Sequence, residues 1–298
     1  ILVAARPAMG KTSMALGVAQ FAGIQARRCV AIFSLEMPAE QIGLRLLCSA
    51  ANINMQRVRS GMLTDDEWVK IGDTINELSH VRLFIDDTPA LSVFEFRSKA
   101  RRLKMHNHIE IIIIDYLQLM TGGQAGNGGN REQEVAFISR TLKAIAKELD
   151  VPIIALSQLN RSTELRGGSK RPQLSDLRES GAIEQDADIV AFIHRPEYYG
   201  INTTEDGQPT AGMAEFILAK HRNGAVTDVN LRFLKDQTRF ADLDDAGIPM
   251  AQGAMPAPQQ YEDFSSESNA SLGAMPNDEF AVGPVNMTPP TREEEVPF

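Results

Sequence analysis

Short apolar runs alternate with amphipathic segments along the first 240 residues. The apolar runs are typical of strands and cover 1–5, 29–35, 81–85, 109–114, 151–156, 189–193 and 214–218. The segments between them have helical periodicity and cover 11–26, 38–50, 64–78, 92–105 and 131–149. Run 109–114 is apolar almost throughout, which is typical of a strand buried on both faces of a parallel sheet. The alternation predicts an α/β domain with a mostly parallel central sheet and helices on both faces.

Charge is distributed unevenly along the 298 residues, whose net charge is −9. The last 55 residues contain ten acidic residues, one basic residue and eight of the fifteen prolines, so the first 243 residues are neutral. A polar, proline-rich segment of one charge sign buries too little apolar surface to offset chain entropy. We therefore predict a folded domain over 1–242 and a disordered acidic tail over 243–298. The neutral domain neither requires nor excludes a nucleic-acid partner.

Composition also excludes several classes of protein. The two cysteines, Cys29 and Cys48, have no CxxC spacing, which excludes a disulfide scaffold and favours reduced thiols. No apolar stretch has the ~18 residues that a membrane span needs, and no signal peptide opens the chain. These features predict a cytoplasmic protein. Because Ile1 lies directly in a strand-like run, we expect that an N-terminal part is missing.

The segment from Ala5 to Thr12 fits the phosphate-loop pattern GxxxxGK[ST], except that Ala5 takes the place of the first glycine. A predicted strand precedes it and a predicted helix follows, which is the context that the motif requires. Backbone N–H groups and the helix N-terminus would hold the β- and γ-phosphates, which Lys11 would also reach. The predicted nucleotide-binding residues are Ala5, Arg6, Pro7, Ala8, Met9, Gly10, Lys11, Thr12 and Ser13. The alternative is a chance strand–turn–helix with a solvated lysine.

A carboxylate, Asp115, ends the apolar run 109–114. A buried strand would deliver it to the carboxyl edge of the sheet beside the phosphate loop, where it would support Mg²⁺ together with the Thr12 hydroxyl. The alternative is an aspartate that caps the next turn. Together, the two motifs predict a P-loop NTPase that uses a nucleotide triphosphate and Mg²⁺.

Further polar residues follow other predicted strands. Glu36 is placed to act as the base for an attacking water, and Gln158 is placed to sense the γ-phosphate. Lys220 and Arg222 end another strand with two cations. Each has a simpler interpretation: Glu36 as a helix-capping acid, Gln158 as a surface amide, and the two cations as a solvated hairpin end.

Eight segments in this order resemble the DnaB-type replicative helicases, whose core is a RecA-like hexameric motor. They are ARPAMGKT, FSLEM, VRSGMLTDDEW, RSKARRL, IIIIDYLQLM, ALSQLNR, DLRESGAIEQDAD and KHRNG. The resemblance covers nearly all of residues 1–240. Members of this family commonly carry alanine at the position of Ala5.

The resemblance implies a 5′→3′ DNA helicase that forms a ring of six subunits with ATP bound between neighbours. It implies that Lys11 and Thr12 bind phosphate and Mg²⁺, that Glu36 polarises water, that Asp115 supports Mg²⁺ and that Gln158 senses the γ-phosphate.

The resemblance also implies that Lys220 and Arg222 reach into the neighbouring subunit's site, Arg222 as an arginine finger. Arg178, Glu179 and Gly181, in a predicted polar loop, match residues that hold the backbone of single-stranded DNA in the central channel. A primase and a helicase loader are the implied partners. The family's N-terminal helical domain and linker helix have no counterpart in this sequence, so assembly of the ring is left open.

The chain ends in three glutamates followed by Val296, Pro297 and Phe298, which is similar to the acidic tip of bacterial single-stranded-DNA-binding proteins. This tip would dock on a replication partner; the alternative is a solvated terminus that keeps the protein soluble. His106 and His108 have no third ligand nearby in the sequence, which favours a solvated helix end over a metal site.

Two other functions stay open at this stage. One is a RecA-like recombinase or clock-type ATPase that binds DNA or protein without unwinding. The other is an inactive DNA-binding or regulatory module that lacks its N-terminal domain. The DLRESG and KHRNG segments favour the helicase over the first, and intact Glu36, Asp115 and Arg222 argue against the second.

Overall fold

The computed structural model describes residues 1–123, 131–160, 170–204 and 207–243. The predicted acidic tail lies outside the described residues from position 244 onward. Within the described ranges, no helix combines the length and the apolar character that crossing a bilayer needs.

One sheet organises the described part of the chain. Its nine strands are Leu2–Ala5 (β1), Val30–Ser34 (β2), Leu83–Asp86 (β3), Ile111–Asp115 (β4), Ile153–Gln158 (β5), Ile189–His194 (β6), Met213–His221 (β7), Thr227–Leu234 (β8) and Arg239–Asp242 (β9). Their order across the sheet is β3-β2-β4-β5-β1-β6-β7-β8-β9. The first six strands in this order, which include β1 and β2, are parallel to one another. Strands β7, β8 and β9 add an antiparallel edge. The predicted fold class is confirmed.

Helices connect the strands and cover both faces of the sheet. They are Lys11–Gln20 (α1), Ala39–Ala51 (α2), Met55–Ser60 (α3), Asp65–Ser79 (α4), Val93–Asn107 (α5), Arg131–Leu149 (α6) and Gly181–Asp186 (α7). A π-helical turn, Phe21–Gln25, continues α1. Thr64 with Glu67 and Ser92 with Glu95 form capping boxes that fix the first turns of α4 and α5.

The core has one layer on each face of the sheet, and alternate residues of β4 enter different layers. Ile112 and Ile114 pack with the residues of α5 and α6, whereas Ile113 packs with those of α1 and α2. All three side chains are completely buried. A strand covered on both faces has no polar alternation, which explains its continuous apolar sequence.

Two parts of the fold differ from the sequence prediction. Strands β8 and β9 were not predicted, although Val229, Leu231 and Phe233 alternate with polar residues along β8, whose first half is exposed. The loop predicted around Arg178 is instead a 3₁₀ helix, Leu174–Ser180, followed directly by α7. Asp176, which is 5% exposed, accepts a hydrogen bond from the Gln173 backbone N–H, and this contact starts the helical turn.

Candidate nucleotide site

The phosphate loop joins β1 to α1 at the carboxyl edge of the sheet. Two of its residues have left-handed backbone conformations, Ala8 with a φ of 61° and Gly10 with a φ of 97°. The buried Arg6 guanidinium donates a hydrogen bond of 2.7 Å to the Leu159 carbonyl oxygen and so ties the loop to the end of β5. A Cβ atom at Gly10 would lie 3.0 Å from the Phe240 ring, so space and backbone both require glycine there.

Ala5, where the phosphate-loop pattern has glycine, is the last residue of β1 and is fully buried. Its extended conformation is open to any residue, so the loop loses nothing at this position. Met9 and Ser13 are also buried, whereas Pro7 is exposed. The predicted nucleotide-binding segment thus forms one continuous turn between β1 and α1.

Thr12 and Asp115 meet beside this loop. The Thr12 hydroxyl donates a hydrogen bond of 2.6 Å to Asp115 Oδ2. Asp115 Oδ1 is buried and has no hydrogen-bond partner among the described residues. Lys11 Nζ lies 3.3 Å and 3.5 Å from the backbone oxygens of Ala5 and Arg6. Asp115 therefore contacts the phosphate loop and does not cap the next turn.

Burial shifts both ionisable groups of this cluster towards their neutral forms. It raises the pKa of Asp115, and nearby Glu36 adds to that rise, while the hydrogen bond from Thr12 and the charge of Lys11 oppose it. Burial likewise lowers the pKa of Lys11, against the attraction of Asp115 and Glu36. The site thus holds a half-buried cation and a buried carboxylate whose charges are incompletely compensated.

The side chains suit a hard divalent cation. Mg²⁺ prefers oxygen ligands and keeps several waters, so it needs only one or two protein oxygens beside the substrate phosphates. Asp115 Oδ1, buried and unpartnered among the described residues, and the Thr12 hydroxyl are such oxygens. A bound cation would also offset the charge that burial disfavours.

Glu36 follows β2 by two residues and its side chain is exposed. Ser34 Oγ donates to the Met37 carbonyl oxygen at 2.7 Å, and Leu35 N–H donates to the Asp115 carbonyl oxygen at 2.7 Å. These bonds fix the turn that carries Glu36 beside the phosphate loop. Pro38 precedes α2, and the Asp87 carboxylate accepts a hydrogen bond of 2.9 Å from the Ala39 N–H, so Asp87 and not Glu36 is the acid that caps this helix.

Gln158 is the last residue of β5 and pairs in register with Ala5. Its backbone N–H donates to Gln118 Oε1 at 3.2 Å, and Gln118 Nε2 donates to Ser157 Oγ at 2.9 Å. Gln118 lies just beyond Asp115 in the chain, so it ties the ends of β4 and β5 together. The Gln158 side chain itself is exposed at this edge.

Lys220 and Arg222 lie at the opposite edge of the sheet. Strand β7 is antiparallel to β6, and His221 pairs with Ile189, the first residue of β6. The two cations therefore flank the amino ends of the parallel strands, about 17 Å from the carboxyl edge at ~3.3 Å per residue. The structure does not bring them to the phosphate loop of their own chain.

Arg178 and Glu179 lie in the 3₁₀ helix before α7, and Gly181 is the first residue of α7. Upstream in that 3₁₀ helix, Asp176 and Leu177 line a small cleft of about 70 Å³ together with Gln158. The segment predicted to bind DNA therefore follows residues that share a cleft with the end of β5.

Sequence reasoning missed Arg45, which lies on α2 within an apolar stretch. Its Nε atom is buried and has no partner among the described residues. Burial lowers the pKa of Arg45, and the nearby carboxylates of Asp115 and Glu36 oppose that shift. The signal was a single arginine between two leucines, because arginine is rarely drawn into an apolar face unless an acid lies close.

An aromatic pair covers the phosphate loop and was also missed. The rings of Phe233 on β8 and Phe240 on β9 have centroids 4.9 Å apart and lie over Gly10. Arg195 donates a hydrogen bond of 3.1 Å to the Ala8 carbonyl oxygen, and its guanidinium carbon lies 3.9 Å from the Phe233 ring centre. No sequence pattern signalled this contact, because β8 and β9 were not predicted.

The histidines considered as metal ligands do not form a metal site in the described part of the chain. His106 lies in the last turn of α5 and His108 ends that helix. Among the described residues, no group of three or more His, Cys, Asp or Glu side chains could hold a metal ion.

The sheet is mostly parallel, a phosphate loop follows β1, and Asp115 at the end of β4 is hydrogen-bonded to Thr12 of that loop. This arrangement is the one that defines the P-loop NTPase class. The profile of the DnaB-like helicase C terminal domain family matches residues 1–242, and the chain belongs to this family.

Known proteins show the same similarity. The replicative DNA helicase DnaC of Bacillus subtilis (strain 168) is 50% identical over 253 residues, which cover 84% of this chain and 54% of that protein. The chain therefore spans about half the length of the curated relatives that it matches. A solved DnaB-like replicative helicase, studied with its interactions with primase, has a TM-score of 0.75 and 40% identity over 82% of this chain and 57% of its own. A second solved structure, of an ATPase domain alone, has the same TM-score and identity, and the match covers 84% of it and 82% of this chain. The RecA-like fold is confirmed.

Proposed function

We propose that this chain is the motor domain of an ATP-dependent 5′→3′ replicative DNA helicase. It couples ATP hydrolysis to translocation on single-stranded DNA and to duplex unwinding. The observation that carries the proposal is the contact of Thr12 with Asp115, whose other oxygen is buried and unpartnered among the described residues. Membership of the DnaB-like family supplies the context in which this NTPase site drives a helicase.

In this proposal, Lys11 and the backbone of the phosphate loop hold the ATP phosphates. Thr12 and Asp115 hold Mg²⁺, which offsets negative charge on the phosphates when bound. Glu36 orients the attacking water and accepts its proton. Gln158 senses the γ-phosphate from the neighbouring strand end, and a position near Asp115 and Glu36 lets Arg45 balance their charges.

Lys220 and Arg222 complete the site of a neighbouring subunit. Their position at the opposite edge of the sheet from the phosphate loop supports action in trans. An arginine supplied by a neighbour stabilises the charge of the transition state and makes hydrolysis depend on subunit contact. The proposal therefore includes a homo-hexameric ring.

Single-stranded DNA is the proposed track, held by Arg178, Glu179 and Gly181. Contacts to the sugar–phosphate backbone carry no sequence information, which suits a motor that must grip any sequence. The similar solved helicase that was studied with primase supports primase as a partner, and a helicase loader is proposed with it. The tip at Val296, Pro297 and Phe298 is proposed to bind a further replication protein, and the site of action is the cytoplasmic replisome.

ATP turnover with and without single-stranded DNA tests the proposal, with Lys11→Ala as the control variant. We expect turnover that rises with DNA and disappears in Lys11→Ala. Turnover without any DNA response, or DNA-stimulated turnover without unwinding of a forked duplex, would favour a RecA-like ATPase that is not a helicase. ATP binding without turnover would mean that the nucleotide site exists but neighbouring subunits do not complete it.

A further inference from the structure

Three cations cap the C-terminal end of helix α7. The last carbonyls of an α-helix have no partner within the helix and carry partial negative charge, so basic side chains stabilise them. Here each of the last three carbonyl oxygens of α7 accepts a hydrogen bond from a different basic residue. The pairs are Lys220 to Glu184, Arg222 to Gln185 at 2.6 Å and Lys143 to Asp186 at 2.7 Å.

Asp188 joins two of these cations. Its Oδ1 accepts a hydrogen bond of 2.7 Å from Lys143 Nζ and lies 3.7 Å from Arg222 Nε. Its backbone oxygen accepts a hydrogen bond of 2.9 Å from the Arg222 N–H. Lys143 therefore bonds to the Asp188 carboxylate, the Asp188 carbonyl oxygen holds the Arg222 backbone, and the Arg222 guanidinium lies near the same carboxylate.

The other end of α7 begins at the segment proposed to hold DNA. Gly181 is its first residue and directly follows the 3₁₀ helix that contains Arg178 and Glu179. At 1.5 Å per residue, the six residues of α7 span about 9 Å. A single rigid turn and a half thus connects the proposed DNA segment to Lys220 and Arg222.

The structure leaves room beside α7. A cleft of about 170 Å³ is lined by Ile183 and Ala187 of the α7 segment and by Leu142 and Ala146 of α6, which otherwise pack in one core cluster. Asp186 also lines this cleft, and its Oδ2 atom is buried without a partner among the described residues. The cleft and the unpartnered polar atom both cost free energy in this position of α7, so a shift of the helix that closes the cleft can be favourable.

We propose that α7 transmits DNA occupancy to the trans-acting cations, with Lys143 and Asp188 as positioning residues that attach Lys220 and Arg222 to its C-terminal end. The inference rests on the proposed function and adds the route by which DNA stimulates turnover. DNA at one end of α7 shifts the helix into the cleft, and the cations at its other end move with it. Lys143 touches neither ATP nor DNA in this scheme.

The test compares the full wild-type chain with Lys143→Met, Lys143→Arg and Lys147→Met. Lys147 is an exposed lysine one turn further along α6, so Lys147→Met is a matched control for lost charge. For each protein, ATP turnover is measured with and without oligo-dT, together with the KM for ATP and the oligo-dT affinity by fluorescence anisotropy.

For Lys143→Met we expect the DNA stimulation factor to fall about fivefold or more, the lower range of typical coupling between sites. Basal turnover, KM and oligo-dT affinity stay at the wild-type level, and Lys143→Arg and Lys147→Met keep full stimulation. Wild-type stimulation in Lys143→Met would overturn the inference. Losses of basal turnover and DNA affinity as large as the loss of stimulation would also overturn it, because they indicate a structural role alone.

Ala146→Leu provides a second test if Lys143→Met does not fold. The larger side chain fills the cleft without removing a hydrogen bond, so it should reduce DNA stimulation by blocking the movement of α7. Normal stimulation in Ala146→Leu would contradict the proposed movement. An unresponsive wild type would instead overturn the proposed function, and this inference with it.

Discussion

Thr12 donates a hydrogen bond of 2.6 Å to Asp115 across 103 positions of sequence, and this contact joins the phosphate loop to the end of β4. The second Asp115 oxygen is buried without a partner among the described residues. A buried carboxylate without a partner destabilises the folded protein, and a bound cation would remove this cost. The position of Asp115 therefore suits a metal ligand better than a purely structural group.

Asp115→Asn should therefore separate stability from activity. Because burial raises the pKa of Asp115, ionisation at neutral pH opposes folding, and the neutral amide removes that cost. We expect Asp115→Asn to unfold at a higher temperature than nucleotide-free wild type, by about 2–4 °C for ~1 kcal/mol, and to lose Mg²⁺-dependent turnover. Asp73→Asn, at an exposed position on α4, should change neither property. A lower melting temperature for Asp115→Asn would contradict this account of the site.

Two glycines in and after the phosphate loop should respond to alanine in opposite ways. Gly10 has a φ of 97°, and an added Cβ atom would lie 3.0 Å from Phe240. Gly17 lies within α1, and its Cβ atom would meet nothing within 4 Å. We expect Gly10→Ala to destabilise the protein and weaken ATP binding, and Gly17→Ala to stabilise it by about 0.5–1 kcal/mol. Urea unfolding and nucleotide titration measure both effects, and similar results for the two variants would refute the assignment.

The buried side chain of His194 should make the folded protein less stable in mild acid. The side chain is 2% exposed, and burial lowers its pKa with help from Arg171, while Glu215 opposes the shift. Below a pH of about 6.5 the unfolded chain binds a proton that the folded protein does not. This contribution is therefore fully present above pH ~6.5 and is lost as the pH falls from there towards the lowered folded-state pKa.

The control for this effect is His194→Phe, which keeps a ring to stack on Tyr199. We expect the melting temperature of wild type to fall more steeply than that of His194→Phe between about pH 7.5 and 5.5, on either side of the ordinary histidine pKa. The difference should reach about 2–4 °C if the titration contributes ~1 kcal/mol. Parallel melting curves across this range would show that His194 does not titrate on unfolding.

The half-buried pair of Lys99 and Asp86 should contribute to stability at neutral pH. Burial disfavours the Asp86 charge, but hydrogen bonds from Lys99 and Thr88 outweigh it and lower the pKa of Asp86. The contribution is present above the ordinary aspartate pKa of about 3.9 and is lost as the pH falls through the folded-state value. We expect Lys99→Met to cost about 1 kcal/mol at pH 7, after allowance for partial solvent exposure. Lys147→Met should lower the free energy of unfolding by less. If urea unfolding gives the same loss for Lys99→Met and Lys147→Met, the ion pair does not contribute to stability.

Much of the parallel part of the sheet could be predicted from local sequence. Strand β4 continues an apolar run, and Thr64 with Glu67 forms the capping box that begins α4. Residues close together in the chain specify both elements. Strand β8 was missed although Val229, Leu231 and Phe233 alternate with polar residues along it, and β9, with four residues, is too short to show a period. Helix α7, at six residues, is too short to show a period.

The candidate site divides in the same way. The phosphate-loop motif and Asp115 were found from sequence because each lies at the end of an apolar run. Arg45 and Gln118 were not found, because their significance depends on side chains far from them in the chain. The roles of all these residues stay predictions until the variants are measured.

By itself, the sequence determined the fold class, the family and the segments that carry the chemistry, because these depend on residue types at short, fixed spacings. Only the tertiary structure decided the order of the strands across the sheet, which brings together residues far apart in the chain, such as Gln118 and Ser157. The same order separates Lys220 and Arg222 from their own phosphate loop, because an antiparallel β7 returns its end to the opposite edge of the sheet. Local spacing contains no information on that direction, which is fixed by how the strands pair.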